Sequence, residues 1–177
     1  MAISCRVTRG DLTESIHVAF GTAVDKNGQV FFSTGDPHYL TCIRSSLKPF
    51  QTAASIKSGA IDSANFSDKE IALMCASHQG EEDHINTAKS MLEKLNLSVE
   101  NYECGSHLPS NKKVQYDMIQ QEISPTPLHN NCSGKHAGML ALGTYLGKGI
   151  NGYTKKNHPV QKTIINYVSK LSGIEKI

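Results

Sequence analysis

Apolar and polar residues alternate near the start of the chain, which is the pattern of β-strands with one buried face. Strands are predicted over residues 3–10 and 15–24. A turn signal at 25–28 (DKNG) and the β-rich stretch 29–33 (QVFFS) then complete an antiparallel hairpin. Since an antiparallel pair is marginal alone, the hairpin is expected to pack on helices or to be completed by strands from elsewhere.

From Ser45 onward, apolar residues recur at helical spacing. The first helix is predicted to begin close to Ser45 and to end at Ser58-Gly59, and Ser67 and Glu70 form the capping box of another. Further helices are predicted over 134–146 and from Pro159 to Gly173, five or six in all, with no later strands. The predicted fold class is therefore α+β, an N-terminal antiparallel β-hairpin or sheet followed by a helical region.

Composition narrows the classes of partner. The chain has 177 residues, a net charge of +2 and no basic stripe, which argues against nucleic acid. It shows neither a signal peptide nor an apolar run of membrane-spanning length, so no membrane partner is expected. The five cysteines are an odd number without disulfide-framework spacing, which favours free thiols and a cytoplasmic location.

A serine and a lysine lie three residues apart where the first helix begins, in Ser45-Ser46-Leu47-Lys48. Residue i+3 of a helix lies over residue i, so the Lys48 amine is predicted to reach the Ser45 hydroxyl. The amine is a base only if burial or a neighbouring cation, such as Arg44, lowers its pKa. The ordinary alternative is an N-cap serine and a solvated lysine. Ser77 is a further candidate, for which a helix C-cap is the alternative.

The stretch N-N-C-S-G-K-H, residues 130–136, puts a thiol, an amine and an imidazole at the start of an apolar helix. A thiolate and an uncharged amine both donate electron pairs, to a metal or to a carbonyl. Cys132 and His136 have the spacing that puts two ligands on one helix face, but zinc takes three or four protein ligands. A buried structural Cys132, a reactive thiol at that position and a surface Lys135 are the alternatives.

These motifs together resemble the L-asparaginase II family, the zinc-dependent type related in fold to serine β-lactamases and glutaminases. The resemblance covers nearly the whole chain. The matching segments are Arg9-Gly10, Glu14-Ser15-Ile16-His17, Arg44-Ser45-Ser46-Leu47-Lys48-Pro49-Phe50-Gln51, Cys75-Ala76-Ser77-His78-Gln79-Gly80 with His84, Cys104-Gly105-Ser106-His107-Leu108-Pro109, the N-N-C-S-G-K-H-A-G-M stretch and His158-Pro159-Val160-Gln161.

The resemblance implies hydrolysis of L-asparagine to L-aspartate and ammonia, with this small molecule as the substrate. It implies Ser45 as nucleophile, Lys48 as its base and Ser77 as the second serine of a tandem Ser–Lys arrangement. Zinc is the implied cofactor, with Cys132 and Lys135 as two of its ligands. Arg44 and His136 are assigned to substrate binding, His136 not being the metal ligand that its spacing suggested.

The chain departs from the family in length, since members are roughly twice as long. The family's second cysteine ligand, in an Asp-Gly-Cys segment, and the lysine that partners the second serine lie beyond Ile177. Residues 1–177 are therefore predicted to be a single incomplete domain, the N-terminal half. A truncated, inactive fragment that needs its missing half or a partner is one alternative. A β-lactamase-like, penicillin-interactive serine protein is another, and a homodimer is left open.

Overall fold

The computed structural model describes residues 1–174, which divide into two compact units, Met1–Ile43 and residues 44–174. The first unit holds the strands and the second holds the helices, so the predicted α+β class is confirmed. None of the helices in the described part of the chain is both long and apolar enough to cross a membrane.

The first unit consists of two antiparallel hairpins. The strands are β1 (Ile3–Arg9), β2 (Leu12–Ala19), β3 (Gly21–Val24) and β4 (Val30–Thr34). β1 pairs with β2 from Ile3 opposite Ala19, and β3 pairs with β4 from Gly21 opposite Thr34. The continuous strand predicted over 15–24 is therefore divided between two sheets, because pairing stops at Phe20.

The hairpins have almost no core of their own. Thr34 is the one buried residue in this fully described unit. Apolar side chains such as Val18, Phe31 and Phe32 are exposed along the strands. The alternating pattern at the sequence level therefore identified strands correctly, but within this unit it does not correspond to a buried face.

Seven α-helices make up the second unit as far as it is described. They are α1 (Lys48–Lys57), α2 (Ala60–Ser63), α3 (Asp68–Cys75), α4 (Glu82–Lys94), α5 (Lys112–Gln120), α6 (Ser133–Leu146) and α7 (Pro159–Ser172). The short α2 was not predicted. The predicted capping box at Ser67 and Glu70 is present at the start of α3. Gly147 and Gly173 end α6 and α7 in the left-handed conformation that glycine adopts without strain.

Helix α6 is the centre of this unit. It packs against α1, α2, α3, α4 and α7. Residues 136–143 are all buried, as expected for a helix that is apolar all round rather than on one face. The core around it also contains Ile61, Met74, Met91 and Val160. The first turn of α6, which carries the S-G-K-H part of the N-N-C-S-G-K-H stretch, is therefore held on several sides.

Candidate active site

The S-x-x-K serine and lysine lie on two different kinds of helix. Ser45 belongs to a short 3₁₀ turn, Arg44–Leu47, and Lys48 is the first residue of α1. Pro49 follows at the second position of α1, where its missing N–H leaves no helical hydrogen bond unmade. Arg44 has a φ of +52°, a left-handed conformation that is uncommon for a side chain of this size and is found at strained functional sites.

Lys48 is buried, with 2% of its surface exposed, and its amine faces three oxygen atoms. Nζ lies 2.5 Å from the carbonyl oxygen of Ala76, 2.7 Å from Oγ of Ser77 and 3.5 Å from the carbonyl oxygen of Asn131. Carbonyl oxygens only accept hydrogen bonds, whereas a hydroxyl can donate one. An uncharged Lys48 amine can therefore donate to the two carbonyls and accept from the Ser77 hydroxyl.

The predicted contact between Lys48 and Ser45 is replaced by one with Ser77. The hydrogen bonds found within residues 1–174 include none between Nζ of Lys48 and Oγ of Ser45. Both serines are exposed while the lysine is not. The amine is therefore directed at the loop after α3.

The loop that carries Ser77 is fastened to the start of α6 through His78. The His78 N–H donates to the carbonyl oxygen of Asn131 at 3.1 Å. The Gly80 N–H donates to Nδ1 of His78 at 3.1 Å, so Nε2 carries the hydrogen and donates to Oγ of Ser133 at 2.8 Å. His78 is buried, with 4% of its surface exposed.

Burial keeps the His78 ring neutral. Loss of solvation lowers the pKa of His78 to about 4, and the nearby His84 and Lys48 act in the same direction. The ring therefore has one hydrogen to donate at neutral pH, as its two hydrogen bonds require. This fixes the Ser77 loop against α6 without adding a charge beside Lys48.

Cys132 and Lys135 stand one turn apart at the start of α6. Cys132 caps the helix and is half-buried, and its N–H donates to Oδ1 of Asn130 at 2.9 Å. Its thiol sulfur lies 3.2 Å from Oδ1 of Asn131. Burial lowers the pKa of Lys135, opposed by the Cys132 and Cys104 thiols and reinforced by Lys48. A lowered pKa favours the uncharged amine, which is the form that donates an electron pair.

The S-x-x-K residues and the α6 residues line one cavity of about 330 Å³. Its lining consists of Arg44, Ser45, Leu47, Lys48, Gln51, Cys132 and Lys135. Three of these are basic and none is a carboxylate, so the cavity suits a ligand with an anionic end. A second cavity, of about 280 Å³, surrounds Glu70. It is a weaker candidate for a substrate site, because the carboxylate of Glu70 is already paired with Lys94 at 2.6 Å.

His136 faces away from free solvent and already has a partner. Nδ1 of this buried ring lies 2.7 Å from the hydroxyl of Tyr153, which in turn accepts the Glu103 N–H at 2.9 Å. The tyrosine hydroxyl can therefore donate its own hydrogen to Nδ1, in the tautomer that has the imidazole hydrogen on Nε2. Burial, followed by the charge of Lys135, lowers the pKa of His136 to about 3, so the ring is neutral.

Two side chains at the start of α6 carry groups that can donate electron pairs to a metal such as zinc. A thiol and an amine with a lowered pKa line one cavity, and both are suitable zinc donors once deprotonated. Residues 1–174 contain no group of three His, Cys, Asp or Glu side chains placed to hold a metal ion. Two donors are fewer than the three or four protein ligands of known zinc sites. Cys132 and Lys135 thus fit the metal chemically, but do not complete its coordination.

Asn131 and His107 connect the Lys48–Ser77 contact with the start of α6. The sequence alone assigned neither residue a role. The carbonyl of Asn131 accepts from His78 and faces Lys48, while its side chain contacts the Cys132 thiol. Its N–H donates to Nε2 of His107 at 3.1 Å. Both residues belonged to motifs that carried the family resemblance, which was the signal for their importance.

The chain belongs to the L-asparaginase II family, because the sequence model of that family matches residues 5–177. Membership places the protein among asparaginase-type hydrolases, whose substrates are small molecules. A search of curated proteins found no match.

Proposed function

We propose that this protein hydrolyses L-asparagine to L-aspartate and ammonia by acyl transfer through Ser45. Family membership supports the type of reaction. The observation that carries the assignment of residues is the shared cavity, which brings Ser45 and Lys48 together with Cys132 and Lys135. A nucleophile, a base and groups suited to hold the substrate are thereby available to one small molecule.

In the proposed reaction, Oγ of Ser45 attacks the side-chain amide carbon of asparagine. The proton of Ser45 passes to the Ser77 hydroxyl as Ser77 gives its own proton to Nζ of Lys48, which lies 2.7 Å away. Lys48 returns a proton to the amide nitrogen, the carbon–nitrogen bond breaks and ammonia leaves. Water then attacks the ester, releases aspartate and restores the Ser45 hydroxyl.

Substrate binding is proposed for Arg44 and His136. The guanidinium of Arg44 lines the cavity and can bind a carboxylate with two parallel hydrogen bonds. Nδ1 of His136 is already bonded to Tyr153, so only its Nε2–H is available for a further partner. Arg44 is therefore the stronger candidate for the α-carboxylate of asparagine.

Zinc is proposed as the cofactor, held by the Cys132 thiolate and the Lys135 amine together with ligands that the described residues do not supply. When bound, the metal would hold the polar end of the substrate. Metal analysis after dialysis against zinc tests this, with Cys132→Ala and Lys135→Met compared with Cys42→Ala, an exposed thiol. The first two variants are expected to lose zinc and the third to keep it. Equal zinc content in all three would refute the assignment.

Ammonia release from L-asparagine tests the function directly. Ser45→Ala is expected to abolish the reaction, while Ser46→Ala, which removes the neighbouring exposed hydroxyl, retains it. Near-wild-type turnover by Ser45→Ala would refute Ser45 as nucleophile. The same assay on the 177-residue chain alone tests the expectation that further polypeptide is needed, which activity of that chain would contradict.

A further inference from the structure

Asn131 makes four polar contacts that connect the serine–lysine groups with the start of α6. Its carbonyl oxygen accepts the His78 N–H at 3.1 Å and lies 3.5 Å from Nζ of Lys48. Its side-chain oxygen lies 3.2 Å from the sulfur of Cys132. Its own N–H donates to Nε2 of His107 at 3.1 Å. The position of Asn131 therefore affects Lys48, the loop that carries Ser77 and the Cys132 thiol.

The tautomer of His107 allows its Nε2 to accept a hydrogen bond from the Asn131 N–H. Its Nδ1 lies 2.8 Å from the carbonyl oxygen of Leu108, and since a carbonyl only accepts, Nδ1 carries the hydrogen. Nε2 is then left with a lone pair, directed at the N–H of Asn131. The two contacts require the same neutral tautomer. His107 is half-buried in the loop between the short 3₁₀ turn at Val99–Asn101 and α5, so it holds Asn131 from a separate segment of the chain.

The contact between Asn131 and Lys48 is sensitive to small movements. At 3.5 Å it is at the outer limit of a hydrogen bond, whereas the contacts of Nζ with Ala76 and Ser77 are 2.5 and 2.7 Å. A shift of the Asn131 peptide would therefore change the acceptors around the amine first. Misplacement of a catalytic group by about 1 Å can slow a reaction roughly a hundredfold.

We propose that His107 is a positioning residue for hydrolysis, which acts through Asn131 to hold the carbonyl that orients Lys48 and the Ser77 loop. This inference rests on the proposed function. His107 does not line the cavity, and the proposed reaction does not involve a contact between His107 and the substrate. Its contribution should therefore fall on the chemical step rather than on substrate binding.

Two variants of His107 distinguish the effect of its hydrogen-bond acceptor from the effect of its side-chain volume. His107→Gln keeps a side-chain oxygen able to accept the Asn131 N–H, and His107→Leu fills similar space without an acceptor. His107→Leu is expected to lower kcat about tenfold to a hundredfold with KM changed less than about threefold, in line with losses of supporting hydrogen bonds around other active sites. The kcat of His107→Gln should stay within about threefold of the wild-type value. The control is His38→Leu, which replaces an exposed histidine of the first unit, and its kcat should stay within the same range.

Unchanged kcat in His107→Leu would overturn the proposal, and so would equal losses in the Leu and Gln variants. Thermal melting shows whether a loss of activity is merely a loss of fold.

Hydrogen exchange at the Asn131 amide, measured without substrate, separates this inference from the proposed function. His107→Leu should exchange this hydrogen faster, and His107→Gln should protect it. If the wild-type protein, assayed with the further polypeptide that it is expected to need, releases no ammonia from asparagine, the proposed function fails, and the exchange alone decides whether His107 holds Asn131. Unchanged exchange in His107→Leu would overturn that contact as well.

Discussion

Nζ of Lys48 lies 2.7 Å from Oγ of Ser77, although the two residues are 29 positions apart in the chain. The local S-x-x-K motif pairs Lys48 with Ser45, but the fold directs the amine toward the loop after α3. In the proposed mechanism Ser77 therefore stands between nucleophile and base. The contact between Lys48 and Ser77 is a consequence of how α1 and α3 pack.

Replacing Lys48 with methionine tests the base. Lys48→Met keeps most of the side-chain length but removes the proton acceptor, so kcat is expected to fall by about 100-fold to 10,000-fold. Lys57→Met, an exposed lysine at the end of the same helix, is the matched control and should retain activity. Steady-state ammonia release measures both, and circular dichroism shows whether the buried substitution has unfolded the chain. A kcat within threefold of wild type for a folded Lys48→Met would exclude Lys48 as the base.

Stability should fall as the pH is lowered from 7 to 4, because His78 is buried in its neutral form. Its folded pKa of about 4 lies below the ordinary value of 6.5, so within this window the unfolded chain binds a proton that the folded chain does not. The loss from His78 alone should be about 3 kcal/mol by pH 4. Chemical denaturation at several pH values measures it.

His78→Gln removes this titration while keeping a side chain that can hydrogen-bond. Its unfolding free energy should be lower at pH 7 but should vary less with pH than that of wild type. Some dependence should remain, since burial also lowers the pKa of His136, to about 3. An equally steep pH dependence in wild type and His78→Gln would show that His78 is not the group responsible.

The close approach of α6 to α3 gives a prediction about packing. A Cβ added to Gly134 would lie 2.5 Å from the backbone carbonyl oxygen of Leu73, which cannot move without shifting α3. Gly134→Ala should therefore cost about 1–3 kcal/mol of unfolding free energy. Gly138→Ala is the matched comparison on the same helix, where the obstacle is the flexible end of Met74. It should cost less, as measured by urea denaturation, and the reverse order would contradict this account of the packing.

Local patterns predicted most of the secondary structure. The capping box at Ser67 and Glu70, the apolar α6 and the helix stop at Gly173 all lie where the sequence placed them, because their signals involve residues close together in the chain. The short α2 and the break at Phe20 were missed. The first is a single turn without a periodic pattern, and the second depends on which strand each segment pairs with.

The site was predictable at the level of residue types and only partly at the level of contacts. The S-x-x-K and N-N-C-S-G-K-H motifs named Ser45, Lys48, Cys132 and Lys135, which line one cavity. The contacts of Lys48 with Ser77 and of Asn131 with His107 could not be read from spacing. They join segments more than twenty residues apart, and only the packing of α3 and of the 104–110 loop against the start of α6 brings them together.

The most direct test of the central claim is to identify the residue that carries the acyl group. The protein is mixed with L-asparagine, quenched in acid and digested, and the peptides are analysed by mass spectrometry. The account predicts an aspartyl ester on Ser45, absent from Ser45→Ala and present in Ser46→Ala. An aspartyl group on Ser77 or on Cys132, with Ser45 unmodified, would contradict it.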